Sequence, residues 1–229
     1  MTSQMGWPGI RDRVIAVGEA KLRARGRAPS RFPVFEPALS AEEVAEVEAQ
    51  YGVTLPEEYR TFLMEVGAGG PGPSLRLMSL RRVAGTWGWV WDNDEENAWP
   101  LDPSGPFVET ADWPARQLAI LRGAGHEPTS RDPENDYRDD YEQVFGEKAD
   151  ERWHFDRGRG AVPISDNGCG MTDYLIIIGP HRGELRDRDC GYSPPFDPYL
   201  DANGNHYTFQ SRYLEWLEKQ EVAIQRSAG

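Results

Sequence analysis

The chain has 229 residues, of which 38% are hydrophobic, with eight tryptophans, eight phenylalanines and nine tyrosines. That is enough to bury about three quarters of the unfolded surface, and it excludes an intrinsically disordered chain. No apolar run approaches the roughly 18 residues of a membrane span, the longest candidate being Tyr174 to Ile178. The formal charge of 25 − 38 = −13 disfavours direct binding to nucleic acid or anionic lipid and makes a basic protein the natural partner.

In chain order, Ile10, Val14, Val17 and Leu22 form a helical stripe in a basic segment closed by Gly26 and Pro29, which reads as an appendage. Val14 to Val17 is too short for the apolar region of a signal peptide. Pro33 and Pro37 mark a linker. Ser40 with Glu43 is a capping-box start for a helix through Gln50, with Val44, Val47 and Tyr51 on one face and Gly52 as its stop. Leu55-Pro56 opens a second helix carrying Tyr59, Phe62, Leu63 and Val66 at i, i+3, i+4 and i+7, ended by the glycines at 67, 69 and 70.

Two strand-like runs follow, Leu75 to Leu80 and Thr86 to Trp91. Beyond them lies an acidic stretch with predicted helices over Trp113 to Arg122 and Glu134 to Glu151. Ala161 to Ile164 and Thr172 to Ile178 read as a hairpin about a turn at 166–170, and Gly183 to Arg188 as a third antiparallel strand. A proline loop at 194–198 and a turn at 201–205 precede a terminal helix striped by Phe209, Tyr213, Trp216, Leu217 and Ile224. The expected fold is α+β, a mostly antiparallel sheet with helices packed on one face. The expected organisation is one domain: an N-terminal basic extension over 1–37, a core over 38–91 and 157–229, and a partly helical acidic insertion over 92–156.

Charge is unevenly placed. Residues 92–156 hold 18 acidic and 6 basic side chains, whereas 1–31 hold seven basic and two acidic ones. The acidic stretch can act as a docking face for a basic partner, keep the protein soluble, or receive the basic N-terminus internally. Candidate contact residues are Asp92, Asp94, Glu95, Glu96, Trp99, Asp136, Asp139 and Asp140. Trp87, Trp89 and Trp91 alternate as one face of a buried strand would, although tryptophans ringed by charge also suit an interface.

The order of these pieces is similar to the SUKH superfamily, named for the yeast cell-wall assembly regulator and its bacterial relatives. The resemblance is carried by Leu39-Ser40-Ala41-Glu42-Glu43-Val44, by Tyr51-Gly52-Val53-Thr54-Leu55-Pro56-Glu57-Glu58-Tyr59 and by Gly67-Ala68-Gly69-Gly70. It continues in Val162-Pro163-Ile164-Ser165-Asp166-Asn167-Gly168, in the strand Asp173 to Ile178, and in Tyr213-Leu214-Glu215-Trp216-Leu217. Leu185 stands where the family has a tryptophan, and the basic helix and the acidic stretch exceed a minimal member. The resemblance implies an immunity protein that binds and neutralises a cognate polymorphic toxin domain, a nuclease for example, or a regulatory scaffold of the cell-wall assembly type. Neither role uses a cofactor.

A catalytic reading, as a hydrolase or thiol enzyme, requires Cys169 or Cys190 to meet His181 or His206. The four histidines show no HxH or HExxH spacing. Asp92-Asn93-Asp94-Glu95-Glu96 opens like a calcium loop but has Asn97 at the glycine position and Pro103 at the closing glutamate. Asp201-Ala202-Asn203-Gly204-Asn205 reads as turn chemistry. No metal is expected, the chain is read as non-enzymatic, and two cysteines without CxxC spacing place it in a reducing cytoplasm.

Overall fold

The computed structural model describes residues 6–28, 35–90, 98, 101–128, 137–168, 171–188 and 196–228. Among them are helices α1 (Ile10–Ala24), α2 (Ala41–Tyr51), α3 (Glu57–Glu65), α4 (Trp113–Gly123), α5 (Arg138–Phe145), α6 (Ala149–Arg157) and α7 (Phe209–Ala228). The strands are β1 (Arg76–Leu77), β2 (Ser79–Val83), β3 (Thr86–Val90), β4 (Ala161–Gly168), β5 (Met171–Ile176), β6 (Leu185–Arg188) and β7 (Phe196–Pro198). They form a five-stranded antiparallel sheet in the order β1-β4-β5-β6-β7 and a separate β2-β3 hairpin. The expected α+β class is observed.

Local chemistry sets the helix ends. The Ser40 hydroxyl accepts from the Glu43 N–H at 3.2 Å while the Glu43 carboxylate accepts from the Ser40 N–H at 2.8 Å, so α2 begins on a complete capping box. It ends at Gly52, whose φ of 65° is the left-handed conformation that glycine adopts without strain. Pro56 sits one residue earlier than expected, at the N-cap of α3.

Helices α1, α2, α3 and α7 bury their apolar stripes against one face of the sheet, through Val162, Ile164, Leu175, Ile177 and Leu185. The N-terminal segment is part of this core and not an appendage. Trp7 is 3% exposed and meets Phe62, Phe209 and Tyr213 edge-on at 5.0, 5.8 and 5.7 Å. Its indole N–H is shared between the Glu58 carbonyl and the Thr61 hydroxyl. Two basic side chains of α1 reach α7, where Arg13 pairs with Glu221 at 2.8 Å and Lys21 bonds Gln220, whereas Arg11 donates to the Val66 carbonyl and Arg23 pairs with Glu19. None of these partners lies in the acidic stretch.

Three further expectations change. The run from Leu75 to Leu80 is broken at Met78, whose N–H bonds to the Ile164 carbonyl, so its halves join different sheets. The helix expected over Glu134 to Glu151 is two helices, with a break at Gly146 (φ 56°, ψ −131°), a conformation open to glycine but costly for other residues. Phe196 to Pro198, expected as loop, adds the fifth strand.

The opposite face of the sheet is covered by the segment leading into α4. Phe107 packs on Ala161 and Tyr174. Gly160 lets this segment pass closely, since a Cβ there would lie 2.5 Å from the Phe107 nitrogen. The helices α4, α5 and α6 have a core of their own, built from Trp113, Leu121, Tyr141, Ala149 and Trp153.

Candidate interaction surface

Of the eight acidic-surface candidates, Asp92, Asp94, Glu95, Glu96, Trp99 and Asp136 lie outside the described residues. Asp139 is exposed in the first turn of α5. Asp140 is not a surface residue: it is 1% exposed and sits 2.7 Å from the His126 imidazole, because the helix turns it toward Tyr141 and the small core. Asp139 and Glu142 on α5, Glu147 in the turn after it and Glu151 on α6 are all exposed and without an ion pair among the described residues. Asp139 and Glu142 are spaced at i+3 on α5, where like charges repel.

The tryptophans behave as a buried strand face. Trp87 and Trp89 in β3 are both in the main core, and the Trp89 indole donates to the Tyr59 hydroxyl at 2.9 Å. Trp91 lies outside the described residues. Gln50, at the end of α2, reads the edge of β3 like a strand: its amide donates to the Trp87 carbonyl at 2.7 Å and accepts from the Trp87 N–H at 2.8 Å.

Beside this hairpin is an open cavity of about 270 Å³ lined by Glu36, Pro37, Leu39, Glu43, Ala68, Leu80, Arg81, Arg82 and Trp87. Its walls are brought together by close backbone crossings. Leu80 donates to the Ala68 carbonyl at 2.7 Å and Ala68 to the Pro37 carbonyl at 3.2 Å. Glycine is needed at 67 and 69, because a Cβ would stand 2.6 Å from the Glu36 carbonyl oxygen and 2.8 Å from the Ser79 Cα respectively. Gly67 and Gly69 thus let the chain pass closely enough for Ala68 to line the cavity wall.

Polar clusters elsewhere serve the fold. A bulge at Ile164 shifts the register from Pro163 opposite Tyr174 to Ser165 opposite Asp173, which turns Ser165 onto the face of the Asp173 carboxylate. That buried carboxylate accepts from Ser165, from the Asn167 amide at 2.6 Å and from the Tyr199 hydroxyl at 2.7 Å. Burial, then the charge and hydrogen bond of Asp173, push the Tyr199 phenol well above its ordinary pKa.

On the opposite face Arg186, 2% exposed, joins the covering segment to the sheet. It lies 3.0 Å from Glu184 and 3.7 Å from Glu109. Glu184 also meets His206 at 2.6 Å and His181 at 3.2 Å, and the two imidazoles stack at 6.3 Å. Burial opposes charge on Glu184, but the His181 hydrogen bond and the Arg186 and His206 charges outweigh it and hold the carboxyl below its usual range. Asp102 is similar: burial is outweighed by the Ser104 hydroxyl, Arg159 and the Gly105 N–H.

Cys169 and Cys190 lie outside the described residues, so the cysteine–histidine arrangement is neither met nor refuted. Asp201 takes the N–H groups of Asn203 and Asn205 and the Asn205 amide, the self-satisfied turn expected there. Among the described residues no group of three or more His, Cys, Asp or Glu side chains is placed to hold a metal ion, and no helix is long and apolar enough to cross a membrane.

No curated protein and no solved structure matches the chain. The model of the SMI1 / KNR4 family (SUKH-1) matches residues 38–184. That span takes in the capped helix pair, the close glycine crossing, the acidic helices and the β4-β5 hairpin, and by it the chain belongs to the SMI1 / KNR4 (SUKH-1) family.

Proposed function

We propose that the chain is a non-catalytic protein-binding domain, an immunity protein that captures a basic toxin domain and blocks it, with the acidic insertion as part of the contact. The observation that carries this reading is the exposed set Asp139, Glu142, Glu147 and Glu151 on α5, α6 and the turn between them. Four exposed carboxylates without ion pairs among the described residues are accounted for by a partner that supplies the opposite charge. The insertion helices also have their own apolar core, so this face is presented on a packed scaffold. Family membership supports a protein-binding role of the immunity or regulator kind.

The test is association with the product of a neighbouring toxin gene. Tight one-to-one binding that abolishes the toxin's activity is the expected result. Reversing the four carboxylates to lysine is expected to slow association at least about tenfold at low salt, and raising the salt is expected to shrink that difference. A pull-down that returns one housekeeping partner, with no binding to the toxin, would move the reading to the regulatory scaffold.

A further inference from the structure

Where the segment leading into α4 crosses the sheet, His181 stands between two carboxylates that come from different parts of the chain. It lies in the turn between β5 and β6, with its Nδ1 3.2 Å from Glu184 of the same turn and its Nε2 3.4 Å from Oε1 of Glu109 on the covering segment. A neutral imidazole has one N–H and one lone pair, so it can donate to only one of the two; the imidazolium donates to both. The Nδ1 contact with Glu184 is a hydrogen bond, and since the Glu184 carboxyl is held below its usual range it is ionised and can only accept. In the neutral ring the proton therefore sits on Nδ1, and the Nε2 lone pair faces the Glu109 carboxylate. Glu109 Oε1 is shut off from solvent and accepts no hydrogen bond.

The other charged groups around His181 do not fill this gap. Arg186 of β6 lies 3.7 Å from Glu109 Oε1, beyond a hydrogen bond, and 3.0 Å from Glu184. His206, ahead of α7, stacks on His181 with ring centres 6.3 Å apart, and its Nδ1 faces Arg186 at 3.2 Å and Glu184 at 2.6 Å. Arg182 turns the other way, to the Thr54 and Leu55 carbonyls.

From this geometry we infer that His181 is a proton-operated clasp: its imidazolium bridges Glu184 and Glu109 and fastens the covering segment to the sheet, and loss of the proton opens the bridge. The apolar contact of Phe107 with Ala161 and Tyr174 does not depend on the proton, so the segment loosens without leaving the sheet. The inference stands apart from the acidic-insertion reading, because it concerns the chain without a partner.

The test is a double-mutant cycle of His181→Asn and Glu109→Gln in the full chain, read from the urea-unfolding equilibrium constant. It is run at about pH 5.5, where carboxylates stay charged and an ordinary imidazole is mostly protonated, and at about pH 8.5, where the imidazole is neutral. The two substitutions are expected to be coupled about threefold at the lower pH, and to lose the coupling or reverse its sign at the higher. His206→Gln is expected to leave that pattern in place. In the unaltered chain, NMR titration is expected to move the Phe107, Val108 and Glu109 amides with one midpoint, shared with the His181 ring, and this provides the reading if a variant does not fold. Equal coupling at both pH values, coupling that vanishes with His206, or amides that do not titrate or that follow the His206 ring would each overturn the assignment.

Discussion

The Asp173 carboxylate shows how one side chain can hold a sheet in register. Three donors from β4 and the β7 side converge on it, so removing the acceptor strands all of them in a dry environment. Asp173→Ala is therefore expected to cost about 3 kcal/mol or more, and Tyr199→Phe about 1.5–3 kcal/mol, in urea unfolding. An unchanged midpoint in both would show that the network does not hold the strands. Asp102 and Glu184 set the acid side of stability. Both carboxyls titrate lower folded than unfolded, so their contribution is complete above the ordinary carboxylate range and disappears as pH falls through their depressed values. Arg159→Gln should flatten that acid loss, as read from unfolding midpoints between about pH 6 and 3. Of these groups only the strand position of Asp173 was legible in the sequence. Its partner Ser165 arrives through a bulge, and period-two alternation cannot reveal an inserted residue.

Among the elements, helices α4, α5 and α6 form the most separable unit. Trp113 and Trp153 meet edge-on at 6.2 Å inside a cluster that shares no residue with the main core. Trp113→Ala is expected to strip amide-exchange protection from α4, α5 and α6 while β4 and β5 keep theirs. Loss of protection throughout would show instead that the two cores unfold together. The capped helix pair was legible from Ser40 with Glu43, Gly52 and Leu55-Pro56, and the terminal helix from its apolar stripe; the hairpin was legible too, but of the turn expected at 166–170 the first three residues are strand, because β4 runs on to Gly168 opposite Met171. The division at Gly146 was less legible because the residues on both sides are tolerated in a helix, so a lone glycine did not stand out. The place of α1 was missed because a helix carrying so many arginines looks solvated, whereas its few apolar residues and Trp7 are the ones that point inward.

For the whole molecule, the main core joins segments from both ends of the described chain. Trp7 lies among Phe62, Phe209 and Tyr213, and the Tyr213 hydroxyl donates to the Pro71 carbonyl at 2.7 Å. Trp7→Ala is expected to cost about 3–5 kcal/mol in chemical unfolding. The exposed Arg13–Glu221 pair between the same helices should contribute less than about 1 kcal/mol, as a double-mutant cycle would read. The layered architecture followed from the order of elements, but the pairing of α1 with α7 joins parts too distant in sequence for local pattern to report.

That pairing bears on how the protein is made. During synthesis, the aromatic ledge on α3 and the waiting Trp7 have no lid until α7 has emerged from the ribosome. Chains released early should therefore display a sticky, oily flank and be cleared by chaperones and proteases, so that only full-length copies accumulate.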